Sequence, residues 1–262
     1  MKLITSVQNS QIKHLGKLLS QAKARREGGQ AVLEGVHLLD ACLRAGIVPE
    51  QVYLPEAKTA NREIRRLAGK LPESLLTQVS DGLLAKAGSL TDGDEIMTLV
   101  KIPKPGNLPQ TGDCVILDRL QDPGNVGTIL RSAAAAGVRQ IVLGRGCADV
   151  WSPKVLRAGM GAHFLLALHT DVDLADWRQH YRAPVWATAL DSGNPQNLYE
   201  MKLIAPAAWI FGNEGSGVDA ALIAAADGCV RIPMLGQTES LNAAMAATVC
   251  LFEQMRQRIQ AV

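Results

Sequence analysis

Asp118-Arg-Leu-Gln-Asp-Pro-Gly-Asn-Val-Gly-Thr-Ile-Leu-Arg131 is the stretch that decides the fold class of this chain. It follows the apolar run Cys114–Leu117 and leads into the alanine-rich stretch Asn125–Ala136, which Gly137 stops. Proline presets φ in a turn, and Asp, Gly and Asn tolerate the remaining angles, so the pattern predicts a strand, a tight turn and a helix. The same alternation continues outward. Apolar strands are expected at Gln140–Leu143, Phe164–Leu168, Val185–Leu190, Ala208–Phe211 and Val230–Met234. Helices are expected from Ser152-Pro153, an N-cap followed by proline at the first position, and at Leu174–Tyr181, Asp219–Ala226 and Ser240–Ile259. Repeated strand–helix units with apolar strands imply an α/β fold with a mostly parallel sheet covered on both faces. In such sheets ligands sit beyond the carboxyl ends of the strands.

Upstream, residues 101–112 carry three prolines and two glycines, a density that resists both helix and central strand. They read as a linker between a leading domain, residues 1–100, and a second domain, residues 113–262. The leading part predicts a polar helical start over Ser10–Arg26, a strand at Ala31–Glu34 and a helix at His37–Ala45 ended by Gly46. A strand at Val52–Leu54, a helix at Arg62–Ala68 and a strand at Glu95–Val100 complete a small α/β domain.

The 262 residues, 47% hydrophobic and 20% charged, have the composition of a globular protein, and a net charge of +2 is too mild to mark a nucleic-acid binder by itself. Distribution says more: every charged residue before Glu27 is basic, namely Lys2, Lys13, Lys17, Lys23, Arg25 and Arg26. Such a run is either a solvated helix face or a phosphate-contacting surface. The five cysteines are scattered, with no Cys-x-x-Cys pair, which points to reduced thiols and to neither a disulfide framework nor a metal site. Neither a secretory signal nor a run near the ~20 apolar residues of a membrane span is present, so a cytoplasmic protein is expected.

Three segments carry polar groups directly after apolar runs: 118–131, Phe211-Gly-Asn-Glu-Gly-Ser-Gly217 and Ile232-Pro-Met-Leu-Gly-Gln-Thr-Glu-Ser-Leu-Asn242. A helix amino terminus favours anions and a nearby arginine adds a planar fork for phosphate, which makes Arg131 a candidate; a surface ion pair is the alternative. The second segment lacks the Gly-x-Gly-x-x-Gly spacing of a dinucleotide site, which disfavours an oxidoreductase. Glu214 leaves its strand at the sheet edge among glycines, as a site residue or as a solvated loop residue. Ser240 offers an N-cap hydroxyl, while Asn242, a poor helix former in the first turn, could reach a substrate or a backbone group. Met234 and Leu241 suit either the core or the faces of an adenine ring.

In order, spacing and residues these segments resemble the three motifs of the SpoU/TrmH branch of the SPOUT RNA methyltransferases. The likeness spans about Val115 to Phe252 and is joined by Ser152-Pro-Lys-Val-Leu-Arg-Ala-Gly-Met-Gly-Ala162. The leading domain resembles the RNA-binding domain that precedes it in many members. The resemblance implies transfer of a methyl group from S-adenosylmethionine to a ribose 2′-hydroxyl, a carboxy-terminal trefoil knot and a homodimer that completes the site. Its motif positions fall on Asn125, Gly127 and Arg131, on Gly212, Glu214 and Gly217, and on Ile232, Pro233, Met234, Gly236, Ser240, Leu241 and Asn242. It implies catalytic roles for Arg131, Asn125, Glu214, Ser240 and Asn242, and a cofactor held by backbone near Leu190, Gly212, Ile232, Met234, Gly236 and Leu241. A guanidinium is essentially never deprotonated, so Arg131 is expected to clamp phosphate and stabilise alkoxide charge, with Glu214 orienting it or helping to remove the proton. Lys13, Lys17, Arg25 and Arg26 are candidate RNA contacts. Ribosomal RNA is the preferred substrate over transfer RNA by analogy of the leading domain; a non-catalytic ribosome-assembly protein on the same scaffold is the alternative from another class.

Overall fold

The computed structural model describes residues 2–88, 96–189 and 194–261. They fall into two units: Met1–Pro103 with Asp149–Phe164, and Lys104–Ala148 with Leu165–Val262.

The first unit runs β1 (Lys2–Ile4), α1 (Ser10–Ser20), α2 (Ala22–Gly28), β2 (Gln30–Glu34), α3 (Val36–Arg44), β3 (Gln51–Pro55), α4 (Arg62–Ala68), β4 (Leu76–Val79) and β5 (Met97–Lys101). Its sheet has the order β1-β4-β3-β5-β2, parallel except where β5 meets β3 and β2. Asn9 caps α1 by accepting from the Gln11 N–H, and the helix buries Ile12, Leu15, Leu18 and Leu19 on one stripe. The single helix expected over 10–26 is two helices, because Gln21 is extended (φ −123°, ψ 112°). The break turns Arg25 back toward the end of α1, where its guanidinium donates to the carbonyls of Leu18 and Leu19. β1 and the short, half-polar β4 carry too little pattern to be read from sequence. Of the strand expected at 95–100, Glu95 lies outside the described residues.

The second unit contains β6 (Cys114–Leu117), α5 (Pro123–Ala135) and β7 (Gln140–Gly144); after α6 (Pro153–Gly159), which belongs to the first unit, it resumes with β8 (Ala167–Val172), α7 (Leu174–His180), β9 (Val185–Thr188) and β10 (Gln196–Asn197). β11 (Ala208–Phe211), α8 (Ala220–Ala225), β12 (Gly228–Arg231) and α9 (Ala243–Gln260) follow. All seven strands are parallel, in the order β10-β12-β9-β11-β6-β7-β8. The expected strand at 164–168 is displaced: Ala162–Leu165 is a 3₁₀ turn and the strand begins at Ala167. The strand expected to reach Met234 ends at Arg231; Pro233 has no N–H for a ladder.

Two features of this unit position the site. Central β6 and β11 are buried along their whole length and pair in register, Leu117 opposite Phe211, so the loops after them leave the same sheet edge side by side. α9 returns to pack on α5, where the Ser132 and Thr248 hydroxyls are hydrogen-bonded at 2.7 Å.

Residues 149–164 fold with the leading unit. Arg25, only 4% exposed, holds the Asp149 carboxylate through Nε at 2.8 Å and Nη2 at 2.7 Å. Gly161, at φ 88°, passes so close to the Ala41 methyl that a Cβ would not fit. Among the described residues no helix is long and apolar enough to cross a membrane.

Candidate active site

At the end of β6 the chain passes through buried Asp118 and left-handed Arg119 (φ 51°) into Asp122, whose carboxylate caps α5 by accepting from the Asn125 N–H at 2.7 Å. Pro123 occupies the first turn, where its missing N–H costs nothing. At the end of β11, Gly212 runs against the backbone of Gly217 and Val218 so closely that any Cβ would collide with it. Asn213 then closes a tight loop. Its backbone exchanges hydrogen bonds with Gly217 at 2.9 and 3.0 Å, and its side-chain oxygen accepts from the N–H groups of Gly215 and Ser216. Its Nδ2 donates to the Arg119 carbonyl at 2.9 Å, tying the second loop to the first.

Glu214 makes the second tie. Its carboxylate accepts from the Asp122 N–H at 3.0 Å, the Gln121 N–H at 3.4 Å and Asn125 Nδ2 at 3.1 Å. Partial burial works to raise its pKa, but these donors outweigh it and hold the group below the usual carboxylate range. At neutral pH Glu214 is therefore an ionised acceptor and a weak base.

The third segment joins through Asn242. Its Nδ2 donates to Asn125 Oδ1 at 2.9 Å while its own oxygen caps α9 by accepting from Ala244 and Met245 N–H at 2.9 and 3.3 Å. The capping residue is thus Asn242, and Ser240, expected to cap, stands exposed two residues before it. The amide dipoles run head to tail from the amino terminus of α9 through Asn242 and Asn125 to Glu214, an arrangement in which each bond polarises the next. Each asparagine uses one of its two amide N–H groups in this relay, which leaves the other for a ligand.

Other expected residues are placed differently. Arg131 is the ninth residue of α5, in its third turn, so the helix amino terminus does not reach it; it is exposed and no hydrogen bond joins it to the relay. Ile232 and Met234 are half-buried, Gly236 is exposed, and Leu241 is 38% exposed. Leu190 lies outside the described residues. Lys13 and Lys17 are exposed one helical turn apart on α1, and Arg26 is exposed on α2. Arg25 must be removed from the surface candidates, because it is buried against Asp149 and the end of α1. Asn213, Asp118 and Arg119 were not singled out from sequence. The signal available was Asn213 itself, a turn-forming residue type inside a glycine-rich loop.

The chain on either side of Asn242 carries exposed apolar side chains: Leu235 is fully exposed and Leu241, and Met245 in the first turn of α9, partly so. Apolar walls next to amide donors suit a nucleoside-containing cofactor. Among the described residues no cluster of three or more His, Cys, Asp or Glu side chains could hold a metal ion.

Comparison with known proteins places both parts of the chain in families. Residues 113–252 match the SpoU rRNA Methylase family and residues 9–98 the MRM3-like substrate binding domain. The 23S rRNA (guanosine(2553)-2′-O)-methyltransferase RlmP of Bacillus subtilis is 33% identical over 96% of this chain and 98% of its own. An uncharacterized tRNA/rRNA methyltransferase of Synechocystis is 36% identical over 97% of this chain and 94% of its own. The crystal structure of the AdoMet-bound rRNA methyltransferase from Sinorhizobium meliloti superimposes with a TM-score of 0.83 at 28% identity, covering 97% of both chains. The match takes in all three loops that meet at Asn125, and on that ground the chain belongs to the SpoU rRNA methylase family.

Proposed function

We propose that the protein transfers a methyl group from S-adenosylmethionine to a ribose 2′-hydroxyl of ribosomal RNA. The observation that carries this reading is the relay Asn242–Asn125–Glu214, which draws three loops of one sheet edge into a single polar site. Bound S-adenosylmethionine supplies an electrophilic methyl on a sulfonium. Gly212, Ile232, Met234, Gly236 and Leu241 would hold it, by backbone groups in a loop that tolerates no Cβ at 212 and by apolar side chains after β12. The spare N–H of Asn125 and that of Asn242 orient the incoming 2′-oxygen, and positioning of this kind supplies much of the rate. Glu214, ionised and held by the N–H groups of Gln121 and Asp122 and by Asn125 Nδ2, fixes Asn125, and the proton released from the 2′-hydroxyl as its oxygen takes the methyl passes to solvent water. Arg131, exposed on α5, clamps the adjacent phosphate and stabilises alkoxide charge, with Ser240 at the mouth of the site.

The reading extends to a homodimer with a carboxy-terminal trefoil knot, in the cytoplasm. Met245, Phe252 and Ile259 leave an exposed apolar stripe on α9 at seven-residue spacing, which supports pairing of two chains. β12 lies inside the sheet between β9 and β10 while α9 returns to α5, a return path of the kind a knot requires. Free cysteines at all five positions support a reducing compartment. Lys13, Lys17 and Arg26 serve as RNA contacts on the leading unit.

The test is to incubate the purified protein with S-adenosylmethionine and either ribosomal or transfer RNA and to map 2′-O-methyl positions. Asn125→Ala is expected to bind cofactor yet lose methyl transfer to ribosomal RNA. Methylation of transfer RNA alone, or an unimpaired Asn125→Ala variant, would overturn the reading.

A further inference from the structure

Arg119 is one of three residues other than glycine with positive φ among those described, and it sits at the root of the first loop. An L-residue in this region suffers contact between its Cβ and the neighbouring carbonyl and stays there only where surrounding bonds hold it. Here they do. The guanidinium bonds the Asp118 carboxylate twice, Nε and Nη2 each at 3.1 Å, and lies 3.6 Å from Asp219. The Arg119 carbonyl accepts from Asn213 Nδ2 at 2.9 Å. Two and three residues later, the N–H groups of Gln121 and Asp122 point at Glu214.

We propose that Arg119 is a positioning residue whose left-handed backbone aims the Gln121 and Asp122 amides at Glu214 and so sets where Asn125 stands. The side chain stabilises that backbone and does not itself meet RNA. Reversing the φ of one residue redirects every following peptide, and the Glu214 carboxylate can then no longer accept from both N–H groups and from Asn125. The proposal rests on the methyltransferase reading for its kinetic consequence, but its structural consequence can be measured without it.

The experiment compares Arg119→Gly, Arg119→Asn and Arg119→Ala. All three remove the guanidinium equally. Glycine occupies positive φ freely and asparagine tolerates it, whereas alanine does not. Arg119→Gly and Arg119→Asn are expected to keep kcat within about threefold of each other, and Arg119→Ala to fall a further tenfold or so, the factor that ~1.4 kcal/mol represents. KM for RNA and its salt dependence are expected to be alike in all three. Hydrogen exchange at the Gln121 and Asp122 amides is expected to quicken somewhat in all three variants, which lose the guanidinium bonds, and most in Arg119→Ala. Equal kcat and equal exchange in the alanine and glycine variants would overturn the proposal, as would a loss seen in KM for RNA alone. If Arg119→Gly does not fold, the asparagine and alanine variants make the same comparison. A wild-type protein that methylates no RNA would defeat the functional reading, while the exchange rates would still decide this one.

Discussion

Replacing Arg25 by alanine separates a buried strut from an RNA contact. The Arg25 side chain is 5% exposed and that of Asp149 20% exposed, with the charged atoms 2.7 Å apart. The variant would leave the Asp149 carboxylate without its cation and the Leu18 and Leu19 carbonyls without their donor. Removing one partner of a buried pair costs about 3–5 kcal/mol, because the other charge is left uncompensated. Asp149 keeps some access to water, so the loss should sit near the lower bound, about 3 kcal/mol. For a unit of this size that lowers the melting temperature by roughly 10 °C. Scanning calorimetry would measure the shift, and hydrogen exchange would locate it in residues 149–164. A double variant, Arg25→Met with Asp149→Leu, should recover most of the loss, since no charge is then stranded. Lys17→Ala provides the contrast: unchanged stability, weaker RNA binding and a salt slope reduced by about one. An Arg25→Ala protein with wild-type melting and the RNA defect of Lys17→Ala would refute the burial argument.

Asn242 caps α9 with its oxygen and serves Asn125 with its nitrogen, so Asn242→Asp should keep the cap and stability while methyl transfer falls at least tenfold; Asn242→Ala should also lose about 1 kcal/mol of stability in urea unfolding. Gly212→Ala forces a methyl into the Gly217–Val218 backbone, which cannot move aside as a side chain would, and cofactor affinity measured by calorimetry should drop more than tenfold. Glu214 has a folded pKa below its ordinary value of 4.5. Its contribution to stability is therefore fully present above that ordinary value and is lost as the pH falls through the folded one. Glu214→Gln should flatten the acid side of the stability curve below about pH 5 and leave its slope above pH 6 unchanged, as pH-dependent unfolding would reveal.

Much of the second unit was legible because its strands are short apolar runs set off by glycine, proline and capping residues. Cys114–Leu117 and Ala208–Phe211 carry no competing signal, since strands buried on both faces must be apolar throughout. At α5 the sequence reading starts two residues late: Asp122-Pro-Gly-Asn125 reads as a turn before a helix from Asn125, whereas Asp122 caps the helix and Pro123 is its first residue. The signal failed where local chemistry offered two equal choices. Ser240 and Asn242 are both good caps, and the tertiary bond from Asn242 to Asn125 goes with the later one. Arg25 and Lys17 read alike as members of a basic run, but a bend at Gln21 sends one inward and leaves the other in water.

By itself, then, the amino-acid order determined the alternation of strand and helix and which residue types stand at the sheet's carboxyl edge, because period, caps and breakers act within a few residues of one another. The joining of Glu214 to Asn125 and of Asn125 to Asn242 bridges 89 and 117 positions of chain. Only the parallel order β11-β6 and the packing of α9 on α5 brought those side chains within hydrogen-bond reach, since contact over such separations depends on where strands pair and not on any neighbouring residue.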